Sequence, residues 1–175
     1  EFGNDTITGN AAADVLVGGL GADTINGNAG NDIVIGDAAE VNVTSGTVID
    51  ATSTDTANGG ADQLHGDDDK DVLIGGMDND TISGDGDRDV IYGDSAKADF
   101  TGTGLLTSVD SIATGDGGSD DLYGNNVANS AVSDDATDVV VGGNGSDDDL
   151  FGHGGRDLLI GDNAKVTFAT STGNS

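Results

Sequence analysis

The stretch GGLGADTIN from Gly18 to Asn26, followed without a gap by GNAGNDIVI from Gly27 to Ile35, sets the reading of this chain. Each nonapeptide holds two kinds of text: six residues rich in glycine and ending in Asp, then three built around one aliphatic. Glycine, Asn and Asp accept the tight, left-handed geometry of turns. An aliphatic between two outward-pointing neighbours suits a short strand. The pair reads as turn, strand, turn, strand.

The register extends along the chain, and such repetition at a short fixed period marks a solenoid. Asp5, Asp14, Asp23 and Asp32 stand nine apart, each followed two residues later by Ile7, Leu16, Ile25 or Val34. Asp62, Asp71, Asp80 and Asp89 repeat this with Leu64, Leu73, Ile82 and Ile91, and a less regular block has Asp120, Asp138, Asp148 and Asp157 with Leu122, Val140, Leu150 and Leu159. The pattern breaks at three near-identical words: GDAAEV from Gly36, GDSAKAD from Gly93 and GDNAKVTF from Gly161. These bounds predict a single domain over 1–175, with repeat blocks at about 1–37, 59–94 and 115–162 and insertions at about 38–58, 95–114, 125–136 and 163–175.

Composition shows what must hold such a chain together. Only 34% of the residues are apolar and 3% aromatic, which leaves little material for an ordinary core. There is no cysteine for a disulfide, and two histidines do not suggest structural zinc. The net charge is −28, from 33 acidic and 5 basic residues. That balance argues against nucleic acid and anionic membranes as partners and for disorder or cation binding. All acids but Glu1 and Glu40 are Asp, the carboxylate that tolerates turns. No apolar run approaches the ~20 residues of a membrane span, so no membrane insertion is expected. With no basic-then-apolar start to mark a signal peptide, the chain reads as an excised piece, and Glu1-Phe2 as a cloning remnant.

The nonapeptides resemble the RTX, or hemolysin-type, calcium-binding repeat, GGxGxDxUx with U a large aliphatic. The resemblance implies an all-β fold, a parallel β-roll (a right-handed β-solenoid) in which two nonapeptides complete one coil. It also implies Ca2+ as the bound ion and export by a type I system. Calcium takes about six to eight oxygens, more than one turn supplies. Ions are therefore expected between a turn and its equivalent eighteen residues on, as for Asp5 with Asp23, Asp14 with Asp32, Asp62 with Asp80 and Asp71 with Asp89. The twelve Asp of the register are the candidate metal ligands, for several ions and at most about ten. Glycines at the first, second and fourth places are expected to supply positive φ. Asp69, Asp78 and Asp87 at the fourth place, and Ala12 and Ala136, make their turns less regular.

Alternate strands present different outer faces. One set shows Thr6/Thr8, Thr24/Asn26, Gln63/His65, Thr81/Ser83, Asp121/Tyr123 and Asp149/Phe151. The other shows Val15/Val17, Ile33/Ile35, Val72/Ile74, Val90/Tyr92, Val139/Val141 and Leu158/Ile160, and a sheet apolar on both sides should be covered. Each major insertion leaves from this second set. Val41, Val43, Val48 and Ile49, with Phe100, Leu105, Leu106, Val109 and Ile112, are therefore expected to pack on or beside it. Tyr92, Tyr123 and Phe151 are expected to pack against an insertion rather than form a sugar platform.

DDDKD (Asp67 to Asp71) and DGDRD (Asp85 to Asp89) have the acid spacing of an EF-hand loop, but Val72 or Val90 stands where its glycine belongs and no Glu closes it. His65 and His153 read as ordinary surface residues, and no catalytic constellation can be assembled, so no enzyme is expected. The expected function is a calcium-binding structural module of a large exported surface or adhesin-like protein, extracellular or at the cell surface, flanked by neighbouring domains of that parent. The alternative is an accessory module of a secreted protease, lipase or polysaccharide-modifying enzyme. Ice binding fits poorly, because the third turn place holds Ala11, Leu20, Ala29, Met77 and Gly86 rather than a Thr ladder.

Overall fold

The computed structural model of the chain describes residues 3–55, 57–112, 117–125, 136–145 and 147–169. Glu1-Phe2, Asp116, most of the predicted insertion at 125–136 and the end of the one at 163–175 lie outside them. Every regular element among the described residues is a β-strand.

Two six-stranded parallel sheets form a β-roll. The first runs Thr6–Thr8, Thr24–Asn26, Gln63–Asp67, Thr81–Asp85, Asp121–Tyr123 and Asp149–Phe151, each strand beside the next. The second runs Val15–Gly19, Ile33–Asp37, Val72–Gly76, Val90–Asp94, Val139–Gly143 and Leu158–Asp162. The chain alternates between them once per nonapeptide. Register ignores the insertions: Ile25 pairs with Ile7 on one side and with Leu64, beyond an insertion, on the other.

One inward aliphatic per half-coil fills the space between the sheets. Ile25, Val34, Leu64, Leu73, Ile82, Ile91, Leu122 and Val140 form this stack, all fully buried. It is one side chain thick, so the roll depends on what happens in its turns and on its outer face.

The insertions build a third sheet, antiparallel, from Ala39–Thr44, Thr47–Ser53, Ala96–Phe100, Leu106–Ser111 and Lys165–Thr167. It covers the apolar outer face of the second sheet. Ile33, Ile35, Val72, Ile74, Val90, Tyr92, Val139 and Val141 pack there with Ala51, Ala96, Ala98 and Val109. The Tyr92 hydroxyl donates to the Val109 carbonyl at 3.0 Å, which satisfies its polar end in a dry layer.

The covering residues differ in part from those expected. Val41, Val48, Phe100, Leu106 and Val109 belong to this layer, whereas Val43 and Leu105 are 57% and 55% exposed. Val43 lies beyond a register shift, and the pairing passes from Val43↔Val48 to Asn42↔Asp50, so Ile49 is the extra residue of a bulge. Ile49 and Ile112 are half-buried, outside the packed cluster. Tyr123 and Phe151 are a second correction: they stand on the first sheet, away from the covering sheet, and stack on each other, centroids 4.9 Å apart and 10° between planes. The covering sheet does not reach them, because the insertions that build it depart from the other sheet.

Candidate metal centre

The turns stack into two ladders along the edges of the roll. In each, the backbone N–H of one register Asp donates to an oxygen of the equivalent Asp on the next coil. Asp5 donates to Asp23, Asp23 to Asp62, Asp62 to Asp80, Asp80 to Asp120 and Asp120 to Asp148, at 2.7–3.1 Å. On the other edge Asp14 donates to Asp32, Asp32 to Asp71, Asp71 to Asp89, Asp89 to Asp138 and Asp138 to Asp157, at 2.8–3.1 Å. The structure thus stacks the four expected pairs and continues both ladders across the insertions.

The second carboxylate oxygen behaves differently. In Asp23, Asp32, Asp62, Asp71, Asp80 and Asp120, Oδ2 is buried and meets no hydrogen-bond donor. These residues are at most 2% exposed. Three ion pairs occur among the described residues, His65–Asp85, Lys97–Asp99 and Lys165–Asp110, and none touches a ladder. A row of buried carboxylates without a neutralising partner is costly.

The glycines show where the missing partner belongs. A Cβ on Gly18 would collide with Oδ2 of Asp23 in its own turn and with the Gly36 carbonyl of the next coil. Gly75 repeats this with Asp80 and Gly93, and Gly93 with Asp120 and Gly142. The first glycine is therefore required by close approach, and in the regular turns positive φ falls at the second and fourth places, with Asp147, at φ 65° in the longer turn before Asp148, as an exception. Gly19 and Gly21 have φ of 115° and 127°, and where Asp replaces them, at Asp67, Asp69, Asp78, Asp85 and Asp87, φ is 63–78°. Asp is one of the few side chains that accept this region, so these turns keep their shape. His153, at φ 64° in a second place, is a turn residue of the same kind.

A carboxylate oxygen and a carbonyl oxygen thus converge at the first glycines from Gly9 to Gly142, whereas Gly152 meets only the Asp157 carboxylate. Among the described residues no group of three or more His, Cys, Asp and Glu could hold a metal. The donors that do converge, a carboxylate and a carbonyl oxygen, are hard oxygens of the kind calcium takes rather than the nitrogen and sulfur donors zinc prefers. Calcium fits this donor set.

Residues 8–39 and 56–91 match the model of the RTX calcium-binding nonapeptide repeat, in four copies. Across residues 8–91 the chain carries RTX calcium-binding repeats. No curated protein and no solved structure matches it. The RTX geometry continues beyond the matched segments, since Asp120 and Asp138 are buried in the ladders like the earlier carboxylates. Asp5, on the first described coil, is exposed. His65 is not the free surface residue expected: it is half-buried, with Nδ1 3.1 Å from Asp85, and that partner raises its pKa.

Burial also sets how the metal-free RTX carboxylates hold protons. Desolvation pushes Asp62 and Asp120 up to about 7 and Asp71 up to about 8, against backbone N–H bonds that lower them. Asp80 is driven well above its ordinary range by the same cause. Each folded pKa lies above the unfolded value of 3.8, so the folded apo chain binds more protons and its stability falls as pH rises. The contribution is complete below pH ~4 and lost through pH 7–8. In chelator, acidification from pH 8 to 4 should therefore recover β signal in far-UV circular dichroism. A spectrum indifferent to pH would show that ladder charge does not oppose the apo fold.

Proposed function

We propose that this chain is a calcium-dependent structural module of a large exported surface or adhesin-like protein, folding when it meets calcium outside the cell. The observation that carries the reading is the pair of ladders in which Asp23, Asp32, Asp62, Asp71, Asp80 and Asp120 bury second oxygens that meet no donor. Asp Oδ2 and first-glycine carbonyls of successive coils would hold the ions. Bound calcium supplies the positive charge that lets these carboxylates stack, and binding energy becomes folding energy.

Extracellular calcium modules work near 10⁻⁴–10⁻³ M. A chain tuned to that range stays unfolded at cytosolic calcium, which suits passage through an export channel. Recurrence of four nonapeptides plus one insertion, from Gly36 to Gly93 to Gly161, supports a piece of a long stacked array rather than a small accessory lobe.

Stoichiometry tests the site model. Two ladders of six carboxylates leave five inter-coil steps each, so elemental analysis of the dialysed, calcium-saturated protein should find several ions and at most ten from the repeats. One or two ions would overturn the stacked-turn reading, and zinc would overturn the metal.

A substitution separates ladder from surface charge. Asp80 is 2% exposed and mid-ladder, accepting from Asp62 and donating to Asp120. Asp55, in an insertion, caps only its own turn at Ala57 and Asn58. Asp80→Ala should raise the calcium midpoint of folding about tenfold or more, since it removes a charged ligand and strands the Asp62 N–H. Asp55→Ala should move it less than about twofold. Equal shifts would contradict a ladder-specific role.

A further inference from the structure

Two further acids share the ladder signature although neither belongs to the nonapeptide register. Asp37 and Asp94 occupy the second turn place of the words GDAAEV and GDSAKAD, opposite Gly19 and Gly76 in the sheet register. They are 0% and 1% exposed. One oxygen of each takes a backbone N–H from the following coil: Asp37 Oδ2 from Met77 at 2.6 Å, and Asp94 Oδ2 from Asn144. The other oxygen, Oδ1 in both, is buried and makes no well-formed hydrogen bond, although the backbone N–H groups of Gly60 beside Asp37 and of Gly118 and Gly145 beside Asp94 approach the carboxylates closely enough to favour their charged forms.

Other second-place acids do not behave this way. Asp67 and Asp85 adopt the left-handed backbone of a continuing turn and are only partly buried. At Asp37 and Asp94 the chain instead leaves the turn to form an insertion and re-enters at Gly59-Gly60 or Gly117-Gly118. A Cβ on Gly59 would collide with the Asp37 carboxylate, and one on Gly117 with that of Asp94. The neighbouring Gly36 and Gly93 lie against Oδ2 of Asp62 and Asp120, the register carboxylates on the returning side, and these oxygens also lack donors. Each interrupted turn therefore buries two carboxylates where an unbroken turn buries one. None of the three described ion pairs involves them.

We propose that Asp37 with Asp62, and Asp94 with Asp120, form two doubly charged calcium sites that pin the stems of the insertions to the turns they interrupt. The inference rests on the calcium-binding reading of the repeats and adds ligands outside the RTX register. Carbonyl oxygens complete each sphere, and a second carboxylate makes these the tighter sites, since ligand charge tunes calcium affinity. Ion binding in the roll is thereby coupled to docking of the covering sheet, because Asp94 directly precedes Ser95 and the covering strand Ala96–Phe100. The third word supplies an internal control. Asp162 holds the equivalent place, opposite Gly143, but is exposed, and among the described residues no further turn stacks on it.

The test is calcium binding by Asp37→Asn, Asp94→Asn and Asp162→Asn, followed by calorimetry and by native mass spectrometry. Asn keeps an acceptor for the Met77 or Asn144 N–H and removes the charge. Asp37→Asn and Asp94→Asn should each weaken one of the tightest sites by about tenfold or more, while Asp162→Asn should match the wild type. A second measurement covers loss of stability. The dependence of the unfolding midpoint on calcium concentration counts ions released on unfolding, and it should fall by one for each of the first two variants however stable they are. A variant that is less stable but releases as many ions as wild type would make its carboxylate a neutral cap on the Met77 or Asn144 N–H and overturn the proposal, as would binding curves identical to wild type. Failure of the wild type itself to bind calcium would instead remove the reading beneath it.

Discussion

In millimolar calcium the chain should show a β-sheet far-UV circular dichroism spectrum, and excess chelator at pH 7.5 should convert it to that of a disordered chain in one cooperative step. The size of this effect follows from the core. One aliphatic per half-coil buries too little apolar surface to offset the ordering entropy of so glycine-rich a chain. Against it stand buried carboxylates such as Asp71 and Asp80, which are costly to ionise without a cation. Cooperativity follows from the stacking. Each register Asp is held by the N–H of the preceding coil, so a coil that loses its ion loosens two neighbours, as in any one-dimensional repeat array. Magnesium should not substitute at equal concentration, because it demands a small, near-octahedral shell and sheds water reluctantly. A chelator-resistant β spectrum, or equal rescue by magnesium, would refute coupling of ion and fold.

The sequence made the roll legible because its physics is local and repeated. Six turn residues and three strand residues recur in a fixed register, so the two parallel sheets, their inward aliphatics from Ile25 to Val140 and the apolar face awaiting cover could all be read from spacing. The covering sheet was legible only in outline. Its defining pairings, such as Lys97 with Thr52 and Val109 with Val166, join separate insertions, and no periodicity links them. Small residues were missed there too: Ala96, Ala98 and Ala51 lie at the centre of the layer, flagged only by the alternation of Ala96, Ala98 and Phe100. Alternation with a bulge also explains why Val43 and Leu105, apolar in sequence, face water. Tyr123 and Phe151 were misplaced because aromatic character says nothing about which sheet an insertion will cover. Asp37 and Asp94 escaped notice because their words mark the edges of the blocks, where a repeat reading stops counting.

Val109→Asp should detach the covering sheet while leaving the ladder sites of the roll, the two insertion-stem sites apart, loaded with calcium. Val109 is fully buried, pairs with Ala98 on one side and Val166 on the other, and its carbonyl receives the Tyr92 hydroxyl. A carboxylate there has no described cation beside it, and leaving one buried and unpaired costs about 3–5 kcal/mol. The covering layer yields before the ladders do, since its strands meet the second sheet through side chains alone whereas the ladders add backbone bonds and ions. Near-UV dichroism from Tyr92 should collapse, the calcium-loaded melting temperature should fall by on the order of 10 °C, and the far-UV signal should mostly persist. With Ile33, Ile35, Ile74 and Val141 uncovered, the variant should also self-associate in sedimentation velocity, as exposed contiguous apolar faces do. Val43→Asp is the matched control: it lies on the same sheet but is 57% exposed, so its effect should stay within about 0.5 kcal/mol. If the two substitutions behaved alike, or if Val109→Asp destroyed the far-UV spectrum and calcium binding together, the insertions would be integral to the roll rather than a layer docked upon it.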